Sequence, residues 1–258
     1  MMMRFLIVLC FYRLSLGVGA SESYNESAAF VMSRFADTTY CAPAKVSAWT
    51  VGGNCPSIAS FSIEETYLVK ETVFSHYLSR NSGFGYIGVD ATRGWVVAAF
   101  KGSNDTADWV EDFTGAEFDF SSCTLASGST TAGAVHSGFC EYYGNLAAAG
   151  MLEAFSALVD ANPTFTPVIT GHSLGAAAAV LLAYDLYEYS GSKALVYTFG
   201  QPRVGDYDFA TAFTSRSLGA YRLVHDSDMV GWPLVMPLMT CHISHDLSHL
   251  SHLSSLPG

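Results

Sequence analysis

The chain has 258 residues, half of them apolar, and a formal charge of −11 at neutral pH. A chain of this length and apolar content can bury one sizeable core, which excludes an intrinsically disordered protein and favours a single domain. The negative charge argues against nucleic acid or an anionic membrane surface as a partner.

The first twenty residues have the pattern of a secretory signal. A basic start at 1–4 precedes an apolar run at 5–12, and small residues at 18–20 resemble a cleavage site. Arg13 interrupts the apolar run, which argues against a transmembrane anchor. We therefore expect a secreted, extracellular protein with one domain at 21–258. The alternative for the first segment is a buried N-terminal helix.

Secretion predicts that the cysteines beyond the signal are oxidised. These five are Cys41, Cys55, Cys123, Cys140 and Cys241. Pairing Cys41 with Cys55 and Cys123 with Cys140 closes two short loops and leaves Cys241 without a partner. Two sequons, which begin at Asn25 and Asn104, could carry glycan on a secreted chain.

Apolar periodicity predicts helices and strands that alternate along the mature chain. In chain order they are a helix over 21–39, a β-hairpin with strands at 85–90 and 95–101, a helix over 146–160, a strand at 166–170, a helix over 175–189, and strands at 194–199 and 221–225. This alternation implies right-handed crossovers. It therefore predicts an α/β fold with a mainly parallel central sheet flanked by helices.

The pentapeptide at 171–175 reads Gly-His-Ser-Leu-Gly, a pattern that chance alone could supply in so serine-rich a chain. Its context is more specific, because an apolar strand precedes it and a strong helix former follows it. This is the strand-to-helix turn on which an α/β-hydrolase carries its nucleophilic serine. Ser173 is therefore the candidate nucleophile. His172 is expected to be structural, since neighbouring residues of such a turn point in different directions.

Several blocks in the same order along residues 22–230 resemble the fungal class 3 lipases, a family of secreted triacylglycerol lipases and related feruloyl esterases. The block at 96–103 is similar to the family strand that ends in Phe-Arg-Gly-Ser, with Lys101 in place of arginine. The resemblance implies that Ser103, through its backbone N–H and its hydroxyl, holds an oxyanion together with the backbone N–H of Leu174. Ser103 could also cap a following helix.

Residues 104–115 resemble the amphipathic lid of the same family. Apolar side chains that include Trp109 fall on one side of the predicted helix, and acidic side chains fall on the other. Such a lid opens at a lipid surface, although an ordinary surface helix has the same pattern. The blocks at 135–139 and 197–205 also match the family and are expected to be structural, with His136 as a fallback candidate for the general base.

Acyl transfer by serine needs a base and an acid, and on this fold the acid follows the serine in the chain. The segment at 221–230 resembles the family's acid segment, which implies that Asp228 orients the base. Asp226 is the competing candidate, although it could simply shape the turn. After Val230 the resemblance ends, and residues 231–258 have an atypical composition for the family.

This tail contains four histidines, namely His242, His245, His249 and His252. One of them could be the general base, or their spacing could line one helix face and bind a metal. The interpretation that we favour from the sequence is that the tail is foreign to the family, through a retained intron, a frame shift or alternative splicing. The base would then be missing, and the chain could be an inactive lipid-binding relative.

The sequence thus predicts a serine carboxylic-ester hydrolase that acts on acylglycerols, with feruloyl esters as the alternative substrate. Ester hydrolysis by a Ser-Asp-His triad requires no metal or organic cofactor.

Overall fold

The structure is a computed structural model that describes residues 24–50, 55–56, 58–69, 83–103, 119–225 and 239–243. The predicted signal sequence, the predicted lid with Trp109, and the acid candidates Asp226 and Asp228 lie outside the described residues. The oxyanion candidates Ser103 and Leu174 and the predicted nucleophile lie within them.

Six helices and nine strands occur in the described part of the chain. The helices are α1 (Glu26–Thr38), α2 (Pro43–Ser47), α3 (Ser137–Ala148), α4 (Met151–Ala161), α5 (Leu174–Ser190) and α6 (Tyr207–Arg216). The strands are β1 (Phe61–Val69), β2 (Gly83–Asp90), β3 (Trp95–Phe100), β4 (Phe120–Ser121), β5 (Val135–His136), β6 (Thr166–His172), β7 (Leu195–Phe199), β8 (Gly219–His225) and β9 (Met239–Ile243).

Seven of these strands form the central sheet in the order β1-β2-β3-β6-β7-β8-β9, and β4 pairs with β5 separately. The first two pairings are antiparallel and the next four are parallel. The predicted hairpin of β2 and β3 and the predicted mainly parallel sheet are therefore confirmed. The register places His172 opposite Phe199 and Phe199 opposite Leu223. The carboxyl ends of β6, β7 and β8 consequently lie side by side at one end of the sheet.

Two apolar layers cover the sheet. Because successive side chains of a strand point to opposite faces, Val97 and Ala99 of β3 join the layer that contains Met32 and Phe35 of α1. The even-numbered residues of β3 join the larger layer under α3 to α6. Helix α5 is apolar nearly all round and is buried from its first residue to Leu186, as expected for a helix enclosed by other helices and a sheet.

One predicted helix is wrong in its bounds. The expected helix over 146–160 is two helices, α3 and α4, which meet at Gly150. Gly150 has a φ of 98°, a left-handed conformation that ends one helix and begins another at little cost for glycine. Strand β1 and helices α2 and α6 had no counterpart among the predicted elements.

Both predicted disulfides form. Cys41 is bonded to Cys55 and Cys123 to Cys140, and they bridge 14 and 17 residues respectively. The first closes the segment that carries α2, and the second joins a loop to α3. The two cross-links therefore hold different sides of the molecule.

The structure places part of the atypical tail in the sheet. Strand β9 runs parallel to β8, with His242 paired with Val224. One helix cannot present all four tail histidines on one face, because His242 belongs to a strand. That hypothesis is therefore wrong for His242. The other three histidines lie outside the described residues, and the origin of the tail stays a prediction.

Candidate active site

Ser173 lies on a sharp turn between β6 and α5, as the sequence predicted. Its φ is 57° and its ψ is −121°, which is a strained conformation for a residue with a side chain. Its backbone N–H donates to the carbonyl oxygen of Phe199, 3.0 Å away, and its own carbonyl oxygen accepts from the N–H of Ala176 at 3.0 Å. These bonds fix the turn against β7 and the first turn of α5.

The two glycines of the pentapeptide allow close packing of backbone on backbone. A Cβ on Gly171 would collide with the carbonyl group of Gly175, and a Cβ on Gly175 would collide with the carbonyl group of Phe100. Larger residues would therefore push α5 away from β6 and β3. The glycines are required by this approach and not by a positive φ, since neither has one.

The N-terminus of α5 lies directly after Ser173. Leu174 is its first residue, and the backbone N–H groups of a first helical turn have no acceptor within the helix. The positive end of the helix dipole lies there too, so this turn is suited to hold negative charge.

Ser103 follows β3 at the same place in the molecule. Its side chain is only 1% exposed, and its Oγ is a buried atom without a hydrogen-bond partner among the described residues. Buried hydroxyls are nearly always hydrogen-bonded in folded proteins, so a group bound beside Ser103 could accept a hydrogen bond from it.

Gly102 links the Ser103 segment to the turn at Ser173. A Cβ on Gly102 would lie 3.2 Å from the Cβ of Ser173 and would collide with the carbonyl oxygen of His172. The backbone just before Ser103 therefore touches the backbone around the predicted nucleophile. This brings together two residues that are 70 positions apart in the chain.

Two hydrogen bonds fix the backbone of Lys101, between the end of β3 and Ser103. The N–H of Lys101 donates to the carbonyl oxygen of Phe84 at 2.9 Å, and its carbonyl oxygen accepts from the hydroxyl of Tyr142 at 2.6 Å. Tyr142 is buried, and burial raises the pKa of its hydroxyl, which therefore keeps its proton. Burial also lowers the pKa of the Lys101 ammonium group.

Tyr40 is a residue of the site that the sequence did not indicate. Its hydroxyl lies 2.7 Å from Nδ1 of His172, and the two rings meet edge to face with their centres 5.8 Å apart. Since 132 residues separate them, no local pattern could have found this contact. This contact agrees with the structural role that we expected for His172.

A scan against protein-family models matches residues 97–237, more than half of the chain, to the family described as lipase (class 3). The chain belongs to the class 3 lipase family. A secreted mono- and diacylglycerol lipase of Fusarium solani is 34% identical over 72% of this chain and 51% of its own length. The corresponding lipase of Penicillium camembertii is 30% identical over 74% of this chain and 58% of its own.

A solved lipase structure from Rhizopus microsporus var. chinensis matches this class 3 lipase fold with a TM-score of 0.63. The two share 24% identity over 82% of this chain and 71% of the other, which supports the α/β-hydrolase fold. This chain spans about half the length of the curated relatives it matches.

His136, the fallback base, has a capping role in this class 3 lipase. Its Nδ1 accepts from the N–H of Gly138 at the start of α3, at 3.2 Å, and its ring packs on Phe139. Burial lowers the pKa of His136, and the charge of Asp119 acts in the opposite direction. The imidazole is therefore held neutral, which suits a ring that accepts a hydrogen bond.

The structure brings Ser173, Leu174 and Ser103 together, whereas Asp226, Asp228 and the four tail histidines are not among the residues with described side chains. Strand β8 ends at His225, at the same end of the sheet as Ser173 and three residues before Asp228. Within the described residues no group of His, Cys, Asp and Glu could hold a metal ion. No helix in this part of the chain is long and apolar enough to span a membrane.

Proposed function

We propose that this class 3 lipase hydrolyses carboxylic esters with Ser173 as the nucleophile. The observation that carries the proposal is the strained serine on a strand-to-helix turn, with the Gly102–Ser103 backbone packed directly against it. Backbone strain of about 1–3 kcal/mol at a single residue is typical of functional sites.

In the proposed reaction the Oγ of Ser173 attacks the ester carbonyl carbon while a base takes the hydroxyl proton. The carbonyl oxygen becomes an oxyanion, which accepts hydrogen bonds from the N–H of Leu174 and from Ser103. The leaving alcohol takes the proton from the base, and water then cleaves the acyl-enzyme by the same steps. The Oγ of Ser103 is buried and bonds to none of the described residues, so it is suited to donate to such an oxygen.

The remaining triad roles rest on the sequence. We assign the acid to Asp228, three residues beyond the end of β8, and leave the base among the four tail histidines, or absent. His242 lies on β9, which pairs with β8, the strand that precedes Asp228. None of these proposed steps uses a metal or an organic cofactor.

We propose acylglycerols as the substrate class. The support is the names of the Fusarium solani and Penicillium camembertii relatives, both mono- and diacylglycerol lipases described as secreted. Secretion also agrees with the N-terminal pattern and with the two disulfides. A lid near Trp109 would let such an enzyme work at a lipid–water interface.

The test is ester turnover by the purified full chain and by Ser173→Ala. With p-nitrophenyl butyrate we expect turnover by the wild type and a loss of about 10⁴-fold or more in the variant, because the covalent step is removed. A fluorophosphonate probe should label the wild type at Ser173 only. Turnover retained by Ser173→Ala would refute the assignment, and an unlabelled wild type would show a lipase fold without an activated serine.

Rates on diacylglycerol and on methyl ferulate separate the two substrate classes. Faster hydrolysis of diacylglycerol supports the proposal. Faster hydrolysis of the ferulate ester would replace the substrate while leaving Ser173 as the nucleophile.

A further inference from the structure

The hydroxyl of Tyr40 lies where three segments of the chain meet. It is 2.7 Å from Nδ1 of His172, the residue before the proposed nucleophile. It also touches Gly102, the residue before Ser103, since a Cβ on Gly102 would collide with it. One phenol oxygen thus contacts the side chain of His172 and the backbone at Gly102, the residues just before the turn at Ser173 and just before Ser103.

The proton positions in this contact follow from burial. Burial raises the pKa of Tyr40 well above its ordinary value, the Gly102 backbone interaction opposes the rise, and the charge of Asp37 adds to it. Tyr40 is therefore a neutral phenol with one proton to donate. Nδ1 of His172 is within hydrogen-bond distance, and it accepts from this hydroxyl in the tautomer whose ring proton is on Nε2.

We propose that Tyr40 is a positioning residue for ester hydrolysis, which sets the spacing between the Ser173 turn and the Ser103 strand end by bonding to His172 and touching Gly102. This inference rests on the proposed function. Tyr40 does not touch the reacting atoms in this scheme. It acts through the two residues that precede Ser173 and Ser103.

The packing on either side explains why this spacing depends on one side chain. Gly102 already lies against the carbonyl oxygen of His172, so the two segments are as close as their backbones allow. The hydroxyl of Tyr40 lies against both segments, and Cys41, the next residue, is bonded to Cys55. Oxyanion donors are effective only when they are already in place, and a misplacement of 1 Å can cost about 100-fold in rate.

The first experiment compares Tyr40→Phe with Tyr86→Phe in the full chain. Tyr86 is a matched control. Its buried hydroxyl makes one hydrogen bond as well, which it donates to the carbonyl oxygen of Phe35 near the end of α1. Both variants should lower the melting temperature. We expect Tyr40→Phe alone to lower kcat on p-nitrophenyl butyrate about 10-fold with KM nearly unchanged, since only the transition state uses the donors. Equal kcat values in the two variants would overturn the proposal.

A double-mutant cycle with His172→Ala tests the route of the effect. If Tyr40 acts through His172, Tyr40→Phe should cost little further kcat in the His172→Ala background. Two losses that multiply would mean that Tyr40 acts independently of His172, which would overturn this route.

A third measurement does not depend on turnover. In protein labelled with ¹⁵N-histidine, NMR should show His172 as the Nε2–H tautomer, with a shift of its Nδ1 resonance in Tyr40→Phe. The Nδ1–H tautomer, or no change in the variant, would overturn the hydrogen bond itself. A wild type that shows the expected tautomer but neither turnover nor fluorophosphonate labelling would refute the proposed function, and with it the positioning role, while confirming the bond.

Discussion

At the scale of single residues, Ser173 and Ser103 depart from what stability alone would select. Ser173 occupies a strained backbone conformation, and the Ser103 hydroxyl is buried and has no hydrogen-bond partner among the residues that the structure describes. Each feature costs free energy in the folded protein. The cost is understandable if the Ser173 turn and the Ser103 hydroxyl are arranged for a charge that exists only during the reaction. Hydrogen-bond donors that are already in place then need no rearrangement.

This argument predicts opposite effects on activity and stability for Ser103→Ala. The variant removes a hydroxyl that makes no hydrogen bond to any described residue, so we expect an unchanged or slightly higher melting temperature. The proposed oxyanion loses one contact, so kcat on p-nitrophenyl butyrate should fall by about 10- to 100-fold. Thermal unfolding and steady-state kinetics on the same preparation measure the two effects.

Ser33→Ala is the control, because the hydroxyl of that buried serine donates to the carbonyl oxygen of Phe30 at 2.7 Å. It should lose about 1 kcal/mol of unfolding free energy with unchanged kcat. If Ser103→Ala behaved like Ser33→Ala, the hydroxyl of Ser103 would have an ordinary structural role.

At the scale of elements, the site is a junction of β3, β6 and the start of α5, held together by glycine contacts. Gly171 and Gly175 let the turn fold back on itself and against the end of β3. The backbone distances across this junction are therefore set by the absence of side chains. Added volume there cannot be absorbed by a flexible neighbour, since the opposing atoms are backbone.

We accordingly expect Gly171→Ala to destabilise the protein by about 3 kcal/mol and to reduce turnover strongly. Gly144→Ala is the matched control within α3, where a Cβ would meet nothing within 4 Å. It should stabilise the protein by about 0.5–1 kcal/mol, since alanine is the better helix former. Chemical denaturation measures both changes, and equal effects of the two substitutions would contradict the packing argument.

The sequence predicted those elements whose pattern is local. The hairpin of β2 and β3, strand β6 and helix α5 have continuous apolar periodicity and were found close to their observed bounds. The break at Gly150 was missed because alanine and leucine continue on both sides of it. Helix α6 was missed because its start depends on the Asp206 side chain, which caps Phe209, within a polar stretch.

The part of the candidate site that one short motif and its flanking strand and helix define was predictable from the sequence. The choice of Ser173 follows from the pentapeptide and its context, whereas the oxyanion candidates Ser103 and Leu174 needed a resemblance to known enzymes. Tyr40 could not be found in either way, because its contact with His172 depends on where α1 ends against the sheet. Contacts between distant segments are decided by tertiary packing, which residue patterns do not encode.

At the scale of the whole molecule, the two disulfides have different relations to the site. Cys41 adjoins Tyr40, whose hydroxyl lies at the proposed oxyanion strand and the Ser173 turn. The bond of Cys123 to Cys140 ties α3 to a loop that Asp185 of α5 also holds, through the N–H groups of Ala126 and Ser127. The loops that they close are similar in length, so the two bonds form a natural comparison.

From the loop lengths of 14 and 17 residues, loss of either disulfide should cost about 3 kcal/mol of unfolding free energy. The effects on catalysis should differ. In Cys41→Ser/Cys55→Ser the support of Tyr40 is loosened, so kcat per folded molecule should fall about as far as in Tyr40→Phe. In Cys123→Ser/Cys140→Ser, kcat per folded molecule should be unchanged, because a second set of bonds, to Asp185, holds that loop. Circular dichroism gives the folded fraction, and equal kcat losses in the two double variants would show that the disulfide beside Tyr40 has no special link to the site.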